Sequence, residues 1–200
     1  MTITAIKQQV KRADRYSIYV DGKYCCAFSE AELLRLGLHN GQMLSKDEFT
    51  KLKDDSVLDK ARYQALGQIS RRLRSEWELK DYLKRKNYSE DVIDQAIETL
   101  RQYGYVDDYK FAQAWVANRR LLKATSVRRL QQELRQKRIN DDVIGQVLEE
   151  DTADERDVLR ELVTRKRKQT KYQDDLKLMQ YLARQGYNYD DIKQAMKAED

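Results

Sequence analysis

The feature that most constrains the fold of this chain is a pattern that occurs three times along its 200 residues. Residues 82–97, 133–148 and 181–196 align without gaps and lie roughly fifty residues apart, a period that, when built of helices, is typical of a repeat array. Four residue types recur at fixed places within it. They are Leu83, Leu134 and Leu182; Ile93, Ile144 and Ile192; Gln95, Gln146 and Gln194; and Asp91, Asp142 and Asp190.

Each repeat is predicted to contain three short helices. The chain has no proline, which would interrupt helices. The first helix of the first repeat is predicted to include Leu66, Ile69 and Leu73, and the second and third helices of every repeat follow residues that cap helix N termini well. A unit of this size buries a thin core, so we expect neighbouring repeats to support each other. The caps are Ser75, Ser126 and Asp174 for the second helices, and Ser89, Asn140 and Asn188 for the third.

The turn between the second and third helices differs among the repeats. Asn87, Arg138 and Gly186 occupy the same position in it. Glycine and asparagine adopt a left-handed helix-ending conformation at low cost, and arginine does not. We therefore expect strain or a different turn in the second repeat.

The N-terminal segment differs from the repeats, because it holds most of the β-type residues. Alternating apolar residues flank Asp21-Gly22, a dipeptide typical of a two-residue hairpin turn, and a further strand candidate precedes them. This pattern predicts a three-stranded antiparallel sheet followed by short helices. Of the adjacent Cys25 and Cys26, one is expected to be buried and the other exposed.

The predicted fold class is mainly α. We expect an elongated array of three tandem three-helix repeats, preceded by a small N-terminal antiparallel sheet with short helices. The predicted domains are the N-terminal segment, 1–56, and the three repeats, 57–107, 108–156 and 157–200.

Several classes of function are not supported by the sequence. It has no phosphate-binding glycine loop and no zinc-ligand spacing, and His39, its only histidine, lies in a predicted loop. Asp107 and Asp108 are better explained as a helix cap and a first-turn charge than as metal ligands. No apolar run is long enough to cross a bilayer, and the first residues lack a secretory signal. We expect a cytoplasmic protein without enzymatic activity, cofactor or metal.

Basic residues recur at corresponding places in the repeats, and acidic residues concentrate apart from them at the starts of the third helices. For any one basic cluster, a solvated helix face is a sufficient explanation, but recurrence in register favours a continuous basic ribbon that binds phosphates. We expect Trp77 and Trp115 to lie in cores. The clusters before the second helices are Arg71, Arg72 and Arg74, then Arg119, Arg120 and Lys123, and finally Arg165, Lys166, Arg167, Lys168 and Lys171. Those within or after the second helices are Lys84, Arg85 and Lys86, then Arg128, Arg129, Arg135, Lys137 and Arg138, with Arg184 alone in the third repeat.

One block of sequence resembles a known family. Residues 104–112, with Gly104, Tyr105 and paired Asp107 and Asp108 before Phe111 and Ala112, are similar to the junction of the first two repeats in the RecX family of recombinase regulators. The helix 127–134 and the N-terminal pattern also resemble that family. The chain departs from it where Lys137-Arg138-Ile139 replaces a common Lys-Gly-Ile and where Ala124 stands in a linker that often has glycine.

The resemblance implies a partner and a function. RecX-like proteins bind the RecA recombinase filament on single-stranded DNA and inhibit its growth, ATPase, strand exchange and coprotease activity. This chain would then be a monomeric negative regulator of DNA recombination, repair and the SOS response, binding RecA and single-stranded DNA, with duplex DNA as a further candidate. Two alternatives stay open: a stand-alone DNA-binding protein of the helix-turn-helix kind, and a helical adaptor with no role at nucleic acids.

Overall fold

The computed structural model describes residues 1–197, in which a three-stranded sheet precedes ten α-helices. The prediction of a mainly helical chain with an N-terminal antiparallel sheet is confirmed. The chain forms two compact units, Met1–Val106 and a second that begins at Asp107. The sheet and the first repeat belong to the first unit, and the other two repeats belong to the second.

The sheet consists of β1 (Ile3–Gln9), β2 (Arg12–Val20) and β3 (Lys23–Ser29), which pair antiparallel in that order. Asp21 and Gly22 connect β2 to β3, with φ angles of 48° and 81°. Positive φ at both positions is what the predicted two-residue turn requires. One face of the sheet packs its apolar residues into a core with Leu44 and Leu52, whose other members are Ile3, Ile18, Val20, Cys26 and Phe28.

Helix α1 (Glu30–Arg35) is short, and α2 (Lys46–Ile69) covers the edge strand β3. The Ser56 hydroxyl donates to the carbonyl of Ala27 over 3.0 Å, and the amide of Ser29 donates to Asp59 over 2.9 Å. An uncovered strand edge presents backbone groups that pair with other chains. Side chains of α2 bind the outward backbone groups of Ala27 and Ser29 here.

The same helix also begins the first repeat. It runs without interruption past residue 57, where that repeat was predicted to begin, and it contributes Ala61 and Ala65 to the core of the repeat. The boundaries of the four domains stay a prediction. Leu73, however, lies beyond the end of α2 and is 51% exposed, so its predicted place in the first helix is wrong. The helix ends at Ile69, and the chain turns before the cap of the next helix.

Three helices form each repeat. In the first, α3 (Glu76–Arg85) and α4 (Glu90–Gln102) follow α2. The second contains α5 (Asp108–Lys123), α6 (Val127–Gln136) and α7 (Asp141–Glu149). The third contains α8 (Glu155–Arg167), a 3-10 turn at Thr170–Tyr172, α9 (Asp175–Arg184) and α10 (Tyr189–Lys197). The aligned leucines and isoleucines are buried in three separate cores.

Most of the predicted helix caps are confirmed. The side chains of Ser75, Ser126 and Asp174 each accept a hydrogen bond from the third backbone N–H of the helix that follows. Asn140 caps α7 through the N–H of Asp142. Ser89 occupies the cap position of α4, but its side chain makes no capping bond, so this detail of the prediction is wrong.

In all three repeats, the turn between the second and third helices has a residue in the left-handed conformation at the same position. The φ angles are 61° at Asn87, 59° at Arg138 and 92° at Gly186. A side chain with a Cβ is strained in this region, by roughly 1–2 kcal/mol. The predicted strain in the second repeat is therefore present, whereas a differently shaped turn is not. Ala124, at the C-cap of α5, is a further left-handed residue, with a φ of 47°.

The second and third repeats interlock at the start of α6. The hydroxyl of Ser126 donates to the carbonyl of Gln185 over 2.8 Å, and the hydroxyl of Tyr187 donates to the carbonyl of Ala124 over the same distance. A Cβ at Gly186 would lie 2.5 Å from the Ser126 Oγ. The expectation that neighbouring repeats support each other is met between these two.

Candidate nucleic-acid interface

Many of the basic residues predicted to form the ribbon are paired with acidic side chains of the same unit. These residues belong to all three repeats, so the pairing is general. The pairs are Arg72–Glu78, Lys84–Glu90, Arg85–Asp81, Arg119–Glu133, Arg120–Asp151, Arg129–Glu133, Arg135–Asp141 and Arg167–Asp175. The residues of the predicted ribbon therefore carry less unpaired positive charge than the sequence suggests.

Arg119 is a structural residue of the second repeat. Its Nε donates to Glu133 over 2.6 Å, its guanidinium lies 4.4 Å from the ring centre of Trp115, and Trp115 also donates to Glu133. Burial alone would raise the pKa of Glu133, but the hydrogen bonds from Arg119 and Trp115 hold this pKa below its usual value. The three side chains together join α5 to α6.

Arg120 is more deeply placed, with its side chain only 11% exposed. It pairs with Asp151 over 2.7 Å and donates to the carbonyl of Thr125 over 2.6 Å. It therefore joins α5 to the segment after α7 and to the linker before α6. A charge held in this way is not available to a phosphate.

The first repeat uses Arg72 and Arg74 to fix the start of α3. Arg72 binds Glu78, the residue that forms a reciprocal capping box with Ser75. Arg74 is partly buried and donates to Gln68 over 3.2 Å. Both residues hold the segment between α2 and α3 in place.

A repeated ion pair explains why some basic residues recur at equivalent positions, the pattern that predicted a ribbon. Lys84 and Arg135 occupy equivalent positions at the ends of α3 and α6. Each binds the equivalent acid at the start of the next helix, Glu90 in one repeat and Asp141 in the other. The predicted separation of basic and acidic groups is wrong at these places, because the turn brings the two helix ends together. Exposed pairs of this kind contribute little to stability.

Other basic side chains lie beside aromatic rings. Lys86 and Lys137 are equivalent in register, and their ammonium groups lie 5.8 Å and 5.2 Å from the ring centres of Tyr82 and Trp115. In the third repeat, Lys166 and Lys171 lie near the ring of Tyr172. A ring orients a cation without itself neutralising the charge.

The remaining basic side chains are candidates for binding an anion. They are exposed, and none is paired with an acid within residues 1–197. They are Arg71, Lys123, Arg128, Arg138, Arg165, Lys168 and Arg184.

Residues 104–112, which we call the junction block, have structural roles. Asp107 caps α5 by accepting from the amide of Lys110 over 3.0 Å, and Asp108 is the first residue of that helix. The predicted explanation of the paired acids is confirmed. Gly104 has a φ of 74° in the turn after α4, and Tyr105 is exposed. Phe111 and Ala112 are buried in the core of the second repeat.

The two tryptophans differ. Trp115 is partly buried and stacks on Phe111 in the core, as predicted. Trp77 is 42% exposed, so its predicted place in a core is wrong. It lies in the first turn of α3, whereas Leu79 and Leu83 of the same helix face the core of the first repeat.

The other candidate groups do not form a reactive centre. Cys26 is buried and Cys25 is half-buried rather than exposed, and burial raises the pKa of Cys26 to about 12. Among residues 1–197, no three His, Cys, Asp or Glu side chains are grouped as a metal site requires. No helix in that part of the chain has the length and apolar character needed to cross a membrane.

Sequence analysis missed three basic residues of the first unit. Arg12, Lys53 and Lys60 line a cavity between the sheet and α2 that has no acidic lining residue. The spacing of Lys53 and Lys60, two helical turns apart, is the signal that was present in the sequence. The cavity itself depends on how the helix crosses the sheet, which no local pattern of residues predicts.

Four family models match successive parts of the chain, and all describe RecX. They are the RecX N-terminal domain over residues 1–45 and the first, second and third RecX three-helix domains over residues 61–100, 107–148 and 154–196. The chain belongs to the RecX family. The order of these domains agrees with the sheet and the three repeats described above, and the resemblance inferred from the sequence is confirmed.

Individual relatives of the chain are also named regulatory protein RecX. The protein of Listeria welshimeri is 32% identical over 150 residues, which are 75% of this chain and 56% of the relative, and that of Leuconostoc citreum is 35% identical over 154 residues, or 77% and 58%. The chain thus spans little more than half the length of these relatives. The protein of Clostridium acetobutylicum is 28% identical over 205 residues, which cover 98% of this chain and 95% of the relative.

Two solved RecX structures have the same fold. A crystal structure of regulatory protein RecX matches with a TM-score of 0.74 and 25% identity, covering 98% of both chains. The crystal structure of RecX from Lactobacillus salivarius matches with a TM-score of 0.61 and 21% identity, covering 71% of this chain and 96% of that one. The first of these supports the assignment of sheet and repeats over almost the whole chain.

Proposed function

We propose that this protein binds the RecA filament on single-stranded DNA and restrains its growth, ATPase, strand exchange and coprotease activity. It would thereby act as a negative regulator of recombination and the SOS response. The observation that carries the proposal is the match of all four RecX domain models, in order, along one chain. A family of regulatory proteins fits a binding protein better than an enzyme.

The proposed contacts are basic side chains that the repeats do not use in ion pairs. Electrostatic contact with phosphates or acidic surfaces needs charges that can leave water without first breaking such a pair. Arg119 and Arg120 fail this condition. The proposed contact residues, which meet it, are Arg71 and Lys86 in the first repeat, Lys123, Arg128 and Arg138 in the second, and Arg165, Lys166, Lys168 and Lys171 in the third.

We further propose that the protein acts as a monomer and without a cofactor. Three repeats in one chain supply several modest contacts, and linked contacts add through effective concentration without a second copy. Because a RecA filament on DNA is a cytoplasmic structure, its regulator would act in the cytoplasm.

The proposal is tested by adding the protein to RecA, ATP and single-stranded DNA and following ATP hydrolysis. Inhibition well below the concentration of RecA is expected, because a filament can be restrained at few points. A variant with Lys123→Gln, Arg128→Gln and Lys168→Gln should inhibit at least tenfold less well, since each phosphate contact contributes about fivefold at 0.1 M salt. All three side chains are exposed, so folding should be unaffected.

A variant with Lys177→Gln, Lys193→Gln and Lys197→Gln is the matched control, because it removes the same charge from exposed positions of the third repeat. It should inhibit like the parent protein. If both variants inhibit equally weakly, the loss comes from the lower overall charge of the protein and not from specific contacts. Absence of any inhibition, together with tight duplex binding, would favour the helix-turn-helix alternative.

A further inference from the structure

An open cavity of about 470 Å³ lies between the N-terminal sheet and α2. We call it the N-terminal cavity. All three strands and one face of α2 line it. All of its charged lining residues are basic. They are Arg12, Arg15, Lys53 and Lys60.

One of these four cations is already used by the fold. Arg15 is buried, with its Nη1 3.1 Å from Asp59 and its Nη2 donating to the carbonyl of Ala27 over 2.9 Å. Arg15 therefore joins β2 to α2 and to β3 beneath the cavity. Its charge is balanced by Asp59, so the excess positive charge of the cavity comes from the other three residues.

Arg12, Lys53 and Lys60 are exposed, and none pairs with an acidic side chain of residues 1–197. Arg12 lies 5.8 Å from the ring centre of Tyr63, and Lys53 lies 4.3 Å from that of Phe49. These ring contacts orient the cations without neutralising them. The cavity thus presents three available positive charges.

The position of the lysines is fixed by how α2 meets the sheet. Lys53, Ser56, Val57 and Lys60 follow the spacing that places residues on one helix face. Ser56 in the middle of this face is hydrogen-bonded to the carbonyl of Ala27, which fixes the helix against β3. The two lysines are therefore held on opposite sides of a fixed point, about 10 Å apart along the helix axis.

An aromatic side chain completes the lining. Tyr24 on β3 is 60% exposed, and its ring meets the ring of Tyr19 edge-on at 6.0 Å. That contact steadies the ring while most of its surface stays accessible. Aromatic rings held beside a basic groove are the usual platform on which unpaired bases stack.

We propose that the N-terminal cavity binds single-stranded nucleic acid, with phosphates at Arg12, Lys53 and Lys60 and a base on Tyr24. The backbone positions of the two lysines lie about 10 Å apart along the helix, a separation that fits a ligand with repeated phosphates. The aromatic ring favours unpaired bases over a duplex or an acidic protein surface. This site includes none of the basic residues proposed above as contacts for the filament, and the proposal does not depend on restraint of RecA.

The test uses the full chain and a fluorescein-labelled oligothymidine, without RecA, and measures anisotropy as a function of salt. A variant with Lys53→Gln and Lys60→Gln should bind roughly 5- to 25-fold more weakly at 0.1 M salt, and its log–log salt slope should fall by up to about 1.4. Tyr24→Ala should weaken binding about fivefold or more and leave the slope unchanged, because stacking releases no counterions.

A variant with Lys46→Gln and Lys51→Gln is the control. It removes the same charge from the same helix at exposed positions outside the cavity, and it should bind like the parent. Crosslinking with iodouracil-substituted oligonucleotide should label the peptide that contains Tyr24. Circular dichroism melting should show that all three variants fold.

Each contrary result would overturn the proposal. Equal weakening in the cavity and control variants would show a general charge effect, and unchanged binding in the cavity variants would show that the site is not used. Weaker binding of the cavity variants to DNA-free RecA, with DNA binding intact, would identify an acidic protein surface as the occupant. Inhibition of RecA ATPase is measured separately, so a failure of the proposed regulatory function leaves these readings unaffected.

Discussion

Single residues of the second unit show how closely its repeats are fitted. Gly186 has a φ of 92° and lies against Ser126, whose buried hydroxyl accepts from the amide of Arg129 and donates to the carbonyl of Gln185. The hydroxyl cannot move without breaking one of these bonds. The sequence predicted glycine's role in the turn, but not its packing, since nothing in the repeat pattern pairs Gly186 with Ser126.

Gly186→Ala should lower the free energy of unfolding by about 2–4 kcal/mol, because the new methyl group would meet Ser126 in a backbone conformation that already disfavours it. Urea unfolding measures the change. Gly104→Ala is the matched comparison, since it has a φ of 74° but no atom within 4 Å of the added Cβ. It should cost only about 1–2 kcal/mol. Equal destabilisation would show that the close approach to Ser126 is unimportant.

At the scale of elements, ion pairs decide which basic residues remain available. Capping residues, apolar spacing and turn residues predicted the helices and the sheet, because these signals are local. Ion pairs such as Arg120 with Asp151 depend on how distant segments meet, so sequence analysis assigned Arg120 to a binding surface. The recurrence of basic residues in register did not distinguish a binding surface from a structural role. Lys84 and Arg135, for example, recur because each pairs with an acid at the start of the next helix.

Arg120→Met should destabilise the protein by about 3 kcal/mol, because it leaves a mostly buried Asp151 without its partner and removes the bond to Thr125. Arg128→Met, at an exposed position of the same repeat, should change stability by less than about 0.5 kcal/mol. Thermal and urea unfolding of the two variants provide the comparison. If Arg120→Met is as harmless as Arg128→Met, the ion pair does not hold α5 in place.

For the whole molecule, the net charge of +5 conceals many balanced pairs. The total is small because 39 Lys and Arg nearly equal 34 Asp and Glu. Many of these acids pair with a nearby base, so the charge that can act on a partner is the part that stays unpaired. The order of domains and the family could be inferred from the sequence, since repeats and the junction block are linear patterns. The N-terminal cavity could not, because it forms only where α2 packs against the sheet.

Binding to the RecA–DNA filament should weaken with salt, as expected for a protein that displaces counterions from phosphates. The variant with Lys123→Gln, Arg128→Gln and Lys168→Gln should have a log–log slope smaller by about 2, because each single-strand phosphate that it no longer neutralises accounts for about 0.7. Sedimentation of filaments with bound protein, from about 50 to about 300 mM salt, measures the slope. An unchanged slope would mean that these residues meet no phosphate.

Helix α2 serves both the sheet and the first repeat, and this has a mechanical consequence. Ser56 and Asp59 hold the sheet near the middle of the helix, while Ala61 and Ala65 are packed in the repeat only one turn later. No flexible linker lies between these residues. Tension on a nucleic-acid strand bound to the sheet would therefore be transmitted directly to the core of the first repeat. The sheet and the first repeat should unfold together, as one step in a force–extension trace.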